Sequence, residues 1–305
     1  MWIIKHRKGF YIFTALYVVL ALAALLVWGL KFSIDFTGGS LLDIAYTNTA
    51  PNVAEVTSAL TAIGIADPSV RPSGANEYLI RTPFLTPVEY QNAQSALSGT
   101  NNAWPLTVKE YTSIGPTIGN ELQTRAVWAI VLVLIAIALF VAIAFRKVSK
   151  PVSSWKYGLT VLIALAHDVI VPVGAFAILG HFLGAEVDTL FVTALLVILG
   201  FSVHDSIVVF DRVRENLRKN QETNNSKEPF EDTVGKSVSQ TIARSVNTSL
   251  TVVIVLLALL FLGPASAHYF VLTLLIGIIA GTYSSIFLGS PLLVTLEKRQ
   301  QQKNA

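Results

Sequence analysis

The chain has 305 residues, 53% of them hydrophobic and 13% charged, with a mean hydropathy of +0.60; these proportions exclude an ordinary water-soluble domain and indicate an integral membrane protein. The net charge of +3 reflects Lys and Arg gathered beside membrane segments and makes no case for nucleic-acid binding. The absence of cysteine excludes disulfides, thiolate metal sites and a cysteine nucleophile.

A basic start, Lys5, Arg7 and Lys8, precedes a first apolar span at roughly 10–30. That span is too long for the apolar core of a signal peptide and lacks a small-residue cleavage site before FSIDFTGG, so it reads as a retained membrane helix. Residues 35–122 are less apolar and alternate in type. A strand is predicted in SLLDIAYT, a helix in PNVAEVTSALTAIG, strands around SVRP and EYLIRTPF, a helix in TPVEYQNAQSALSG and a strand in LTVKEYTSI. Pro51 and Pro87 fall near the two helix starts, with Thr86 as an N-cap. The order βαββαβ predicts a small α+β domain of ferredoxin-like type. Gly38 and Gly39 before it suit a tight turn, with Asp35 beside them.

Five more apolar stretches follow, at roughly 126–145, 158–180, 189–210, 245–263 and 269–296. The expected fold is thus a polytopic α-helical membrane protein of six spans. It is divided as 1–34 (N-terminus and first span), 35–122 (external domain) and 123–305 (spans two to six). The polar connector 211–239 should continue the fourth helix through RVRENLRK, pass a flexible NQETNNSKEP centre and rise into a second helix from Phe230. Sixteen Lys and Arg lie on the side of the N-terminus, this connector and the C-terminal tail, against five on the opposite side. Both termini and the connector are therefore placed in the cytoplasm and 35–122 outside.

Within the spans, ionisable residues are the candidates for function, because a carboxylate at membrane depth costs about 2.5–3.5 kcal/mol on insertion scales. His-Asp occurs twice, as His167-Asp168 in the third span and His204-Asp205 in the fourth. A metal site is disfavoured: side chains of adjacent helical residues diverge by about 100°, and no HExxH or further ligand cluster accompanies them. A proton relay suits the pair at Asp205 better. Arg244, at the foot of the fifth span, is the cation that would make proton affinity depend on conformation. A static buried ion pair that fixes helix register is the alternative. Gly277, Gly281, Ser285 and Gly289 recur every four residues and predict a close helix-packing face, within the chain or against a partner. Asn247, Thr248, Ser249 and Thr251 hydrate a proton path or bond to adjacent helices. Pro172 and Pro264 shape backbone. No GxxxxGK[ST] or GxGxxG is present, so no ATP or dinucleotide site, and no cofactor of any kind, is indicated.

GFSVHDSIVVFDRVREN, residues 200–216, resembles the fourth-helix signature GYSxNDTIVVFDRIREN of the SecF family within the RND superfamily. IDFTGGS, IGPTIGNEL, ALAHDVIVPVG, SVSQTIARSVNTSLT and LLIGIIAGTYSSIFLGSPLL match the same family in the same order. The departures are Phe201, His204 and Ser206, where Tyr, Asn and Thr are usual. His204 adds a second titratable group beside the aspartate. The resemblance implies an RND half-like membrane domain and a bacterial inner-membrane subunit that is not an enzyme. It implies work with SecD on the proton-motive force, to drive late steps of translocation of unfolded polypeptide. It further implies the SecYEG channel as partner, with YajC as a further candidate and SecA acting indirectly. By residue, it places the family's proton-pathway aspartate on Asp205 and its arginine on Arg244; His204 joins them as the added titratable group, Asp168 and His167 are weaker candidates, and protons and membrane lipid are further partners. A small-molecule RND exporter and a non-transporting assembly subunit are the competing readings. The first would need a larger external region.

Overall fold

The computed structural model describes residues 2–146, 153–222 and 228–304. Lys147, Lys150 and residues 223–227 at the centre of the polar connector lie outside the described residues. The chain divides into two units, Phe32–Val127 and the remainder.

In chain order, α1 (Arg7–Trp28) leads to the smaller unit. There β1 (Gly39–Tyr46), α2 (Val53–Ala62), β2 (Ser69–Gly74), β3 (Glu77–Thr82), α3 (Pro87–Ser98) and β4 (Leu106–Ile114) follow one another. The strands form one antiparallel sheet in the order β2-β3-β1-β4, the ferredoxin-like arrangement. β1 alternates as a half-buried strand should: Leu42, Ile44 and Tyr46 turn inward, and Leu42 stands opposite Ile80 of β3 and Tyr111 of β4. Val56 and Leu60 of α2 and Ala93 and Leu97 of α3 cover that face.

Both helices begin with a reciprocal capping box. Asn52 pairs with Glu55 and Thr86 with Glu89, each side chain bonding the other residue's backbone N–H. Pro87 occupies the first turn, whereas Pro51 sits one residue before its cap. At the unit's entrance Gly38 and Gly39 have φ of 73° and 135°, open to glycine at little cost. A Cβ on Gly38 would lie 2.6 Å from Pro116 Cα, and one on Gly119 would lie 2.7 Å from the Gly38 nitrogen. The motifs IDFTGGS and IGPTIGNEL are thus two halves of one backbone-to-backbone contact where the unit begins and ends.

α4 (Pro116–Ala144) carries the chain out of this unit. The larger unit then adds α5 (Ser154–Leu183), α6 (Thr189–Glu222), α7 (Phe230–Leu262) and α8 (His268–Tyr283). A π-helical segment, Ser284–Gly289, joins α8 to α9 (Ser290–Asn304). Six helices among the described residues are long and apolar enough to cross a membrane, the last running through the π segment. α5, α6 and the last span form the buried centre, while α1, α4 and α7 are mostly exposed and apolar, as suits contact with lipid. α1 lies along α5 at a seam so close that a Cβ on Gly174 would meet Ala21 Cβ at 2.4 Å.

Candidate functional site

α6 buries Ile198, Ser202, Asp205 and Val209, a stripe at helical spacing that turns toward the other spans. Asp205 is inside because of that spacing and is only 2% exposed. Its carboxyl faces Ser245 and Ser249 of α7. Ser249 is already committed, donating to the Ser245 carbonyl at 2.9 Å and accepting from Thr282 at 2.6 Å. Asp205 Oδ2 and Ser245 Oγ are buried without a hydrogen-bond partner. A buried carboxyl oxygen without a donor is costly.

Asp168 is the opposite case. It is fully buried, and both oxygens are occupied. His167 Nδ1 reaches Oδ1 at 2.7 Å, Ser284 Oγ donates to Oδ2 at 3.0 Å, and Ser202 Oγ donates to the same oxygen. His167 Nε2 in turn meets the Tyr17 hydroxyl of α1. Although adjacent helical residues diverge, the imidazole folds back far enough to bond its neighbour's carboxyl. Four elements therefore meet at one satisfied network: α1, α5, α6 and the π segment.

The other residues singled out by the sequence are dispersed. Arg244 is exposed on α7, one position from Ser245 and so on a different face, and makes no ion pair with Asp205; the cation expected beside Asp205 is not there. Asn247, Thr248 and Thr251 are exposed on the same helix, with Thr248 Oγ1 returned to the Arg244 carbonyl at 2.9 Å. His204 is exposed beside Asp205 and is not hydrogen-bonded to it.

The four-residue repeat of the last span divides in two. A Cβ on Gly277 would strike Ile198 at 2.1 Å, and one on Gly281 would lie 3.0 Å from Ser202 Cβ. Both pack on α6 of this chain. Past Ser284 the π turn shifts the phase, so Ser285 bonds the Thr282 carbonyl at 3.2 Å and Gly289 faces Thr160 of α5. Among the described residues no group of three or more His, Cys, Asp or Glu is placed to hold a metal.

Sequence reasoning missed Tyr17, Ser202 and Ser284 as partners of Asp168. Ser202 lies inside the fourth-span signature, three residues before Asp205, where that spacing puts it on the same face. Also missed was the buried ion pair of Lys156 and Glu297, whose Nζ and Oε2 are 2.7 Å apart.

The model for the C-terminal region of protein export membrane proteins SecD/SecF matches residues 94–299, and that of the SecD/SecF GG motif matches residues 23–50, which include Gly38 and Gly39. The protein translocase subunit SecF of Thermobaculum terrenum is 42% identical, with 97% of this chain and 94% of that one aligned; that of Haemophilus influenzae is 36% identical, covering 93% and 82%. The crystal structure of SecDF, a translocon-associated membrane protein from Thermus thermophilus, superposes with a TM-score of 0.79 at 32% identity. It covers 97% of this chain and 38% of that longer chain. Six spans, the small antiparallel sheet, the glycine pair against Pro116 and near full-length similarity agree, and the chain belongs to the SecD/SecF family of protein-export membrane proteins, as a SecF-type subunit.

Proposed function

We propose that this subunit couples the proton-motive force to the late steps of polypeptide export, with Asp205 as the group that changes protonation. The observation that carries the reading is the contrast between two buried aspartates a few residues' reach apart. Asp168 has a donor for every acceptor, whereas Asp205 Oδ2 has none. Buried polar oxygens are ordinarily hydrogen-bonded, so the orphaned Oδ2 marks Asp205 as the carboxyl whose bonding changes in the working cycle. Each charge that crosses 100 mV supplies about 2.3 kcal/mol, so a few protons suffice to bias a domain movement of several kcal/mol.

A SecD chain is the assigned partner, supported by the fused SecDF relative of Thermus thermophilus, which aligns with this whole chain over 40% of its own length. SecYEG, SecA acting indirectly, YajC and the unfolded client follow from the family resemblance. Arg244 is assigned to the same coupling step without being a partner of Asp205 in this conformation: it is displayed on the outer face of α7, where a neighbouring chain or water would meet it.

Asp205→Asn keeps size and hydrogen-bonding capacity and removes the titratable charge. In reconstituted vesicles it should insert, bind SecD and support ATP-driven translocation while losing the gradient-driven part. Full gradient-driven export by this variant would remove Asp205 from the mechanism.

A further inference from the structure

The network around Asp168 does more than bury a carboxylate safely, because of which elements it joins. Tyr17 stands on α1, the helix that runs through Gly29 into the unit that begins at Phe32. Ser202 stands on α6, on the inward stripe and one turn before Asp205. His167 and Asp168 bridge the two from α5. His167 Nδ1 is bonded to Asp168 Oδ1 and its Nε2 to the Tyr17 hydroxyl, while Asp168 Oδ2 accepts from Ser202 and Ser284.

Above this chain of bonds, α1 meets α5 through Gly174 and Ala21. At that point the contact is between small residues, while nearer the end of the seam Trp28 of α1 stacks on His181 of α5. Tyr11, 2.9 Å from Thr295 Oγ1, Thr14, 3.1 Å from the Tyr283 hydroxyl, and Tyr17 are polar catches along α1. In hydrocarbon a broken hydrogen bond is not replaced by water, so a catch of this kind holds or releases in a discrete way. Gly281 leaves no room around it: a Cβ there would press on Ser202 and lie 3.6 Å from Asp168 Oδ2.

We infer that Asp168, through His167 and Tyr17 on one side and Ser202 on the other, is a positioning residue that ties α1 to the Asp205-bearing turn of α6, so that displacement of α1 is felt at Asp205. The inference rests on the coupling role proposed for Asp205 and adds the path by which the helix leading to the external unit reaches it. Tyr17→Phe removes the hydroxyl at one end of the path and Ser202→Ala the one at the other, and neither side chain touches Asp205 as a hydrogen-bond partner.

The test uses the complete chain assembled with SecD and SecYEG in proteoliposomes, with ATP-driven and gradient-driven translocation scored separately. The reaction of Asp205 with dicyclohexylcarbodiimide is followed by peptide mass. Both variants should lower the gradient-driven rate at least about five-fold, the scale of one lost buried hydrogen bond, with ATP-driven translocation and thermal stability kept. Both should also raise carbodiimide labelling of Asp205, since the freed turn exposes it. Unchanged labelling overturns the inference, as does an equal loss of the ATP-driven phase together with lowered stability, which marks a merely structural contact. Loss in Asp205→Asn beside a fully active Tyr17→Phe defeats this inference alone. A fully active Asp205→Asn defeats the coupling reading beneath it.

Discussion

Lys156 and Glu297 show how a single residue's meaning depends on a partner far along the chain. Both side chains are almost completely excluded from solvent, at 1% and 6% exposure, with Nζ and Oε2 2.7 Å apart. Removing one partner of a buried ion pair costs about 3–5 kcal/mol, whereas replacing both by apolar groups of similar size is often neutral. Lys156→Ala should therefore lower the thermal stability of the purified complex sharply, and Lys156→Met combined with Glu297→Leu should recover most of the loss; a mild single variant would contradict the burial. In the sequence Lys156 reads as one more loop charge, because a count of Lys and Arg cannot see a partner on the last helix. The same limit hid Tyr17 from Asp168. By contrast Asp205 was legible, since a carboxylate inside an apolar run is conspicuous whatever surrounds it. Its missing cation was not, because Arg244 and Ser245 differ by one position and hence by about 100° of helix face.

Elements differ in how plainly they are written. Strands of the external unit follow a two-residue alternation that the eye can count. LTVKEYTSI became β4 without change of boundary, and Asn52 and Glu55 spell a capping box that Pro51 drew attention away from. The box at α3 carries a pH signature. Backbone and side-chain hydrogen bonds from Thr86 hold the Glu89 carboxyl below its ordinary range. Its contribution is thus present above the unfolded-state value, near 4.3, and is lost as pH falls through the lower folded value. Hydrogen exchange on the full chain should show α3 amides losing protection over that acidic window relative to neighbouring α2, and Glu89→Gln should flatten the difference. Asp43 has the reverse sign: partial burial raises its carboxyl pKa, and Lys109 only offsets this. Its ionisation opposes folding as pH rises, so Asp43→Asn should increase sheet protection at neutral pH. The π segment left no such mark. LLIGIIAGTYSSIFLGSPLL reads as an even four-residue repeat, but the π segment Ser284–Gly289 shifts the phase, so Gly277 and Gly281 meet α6 while Gly289 lies by Thr160 of α5.

At the scale of the whole molecule the strongest expectation is orientation. Six spans and a sixteen-to-five bias of Lys and Arg predict both termini and the 211–239 connector inside and residues 35–122 outside. Protease added to sealed right-side-out vesicles should cut within 35–122 and spare the connector; the opposite pattern would invert the topology. The number of spans and the external fold could be read from composition and periodicity because both are local properties. How the spans pack could not, since it is set by small residues meeting large ones across helices, as Gly277 meets Ile198 and Gly174 meets Ala21.

The contact of Gly38 with Pro116 and Gly119 has a consequence for protein engineering. It brings the first and last residues of the ferredoxin-like unit to one spot, so the unit is an insertion with a single seam, like a cassette cut from one loop. A chain in which residues 40–114 are replaced by a short glycine–serine bridge spans no greater gap than the native one already closes. It should still insert with all six helices, as judged by protease mapping and by recovery with SecD, while gradient-driven export is lost. The excised segment, closed by that same bridge or grafted into a turn of an unrelated host, should keep its four-stranded order, because its core residues, from Leu42 to Leu97, all lie inside the cut.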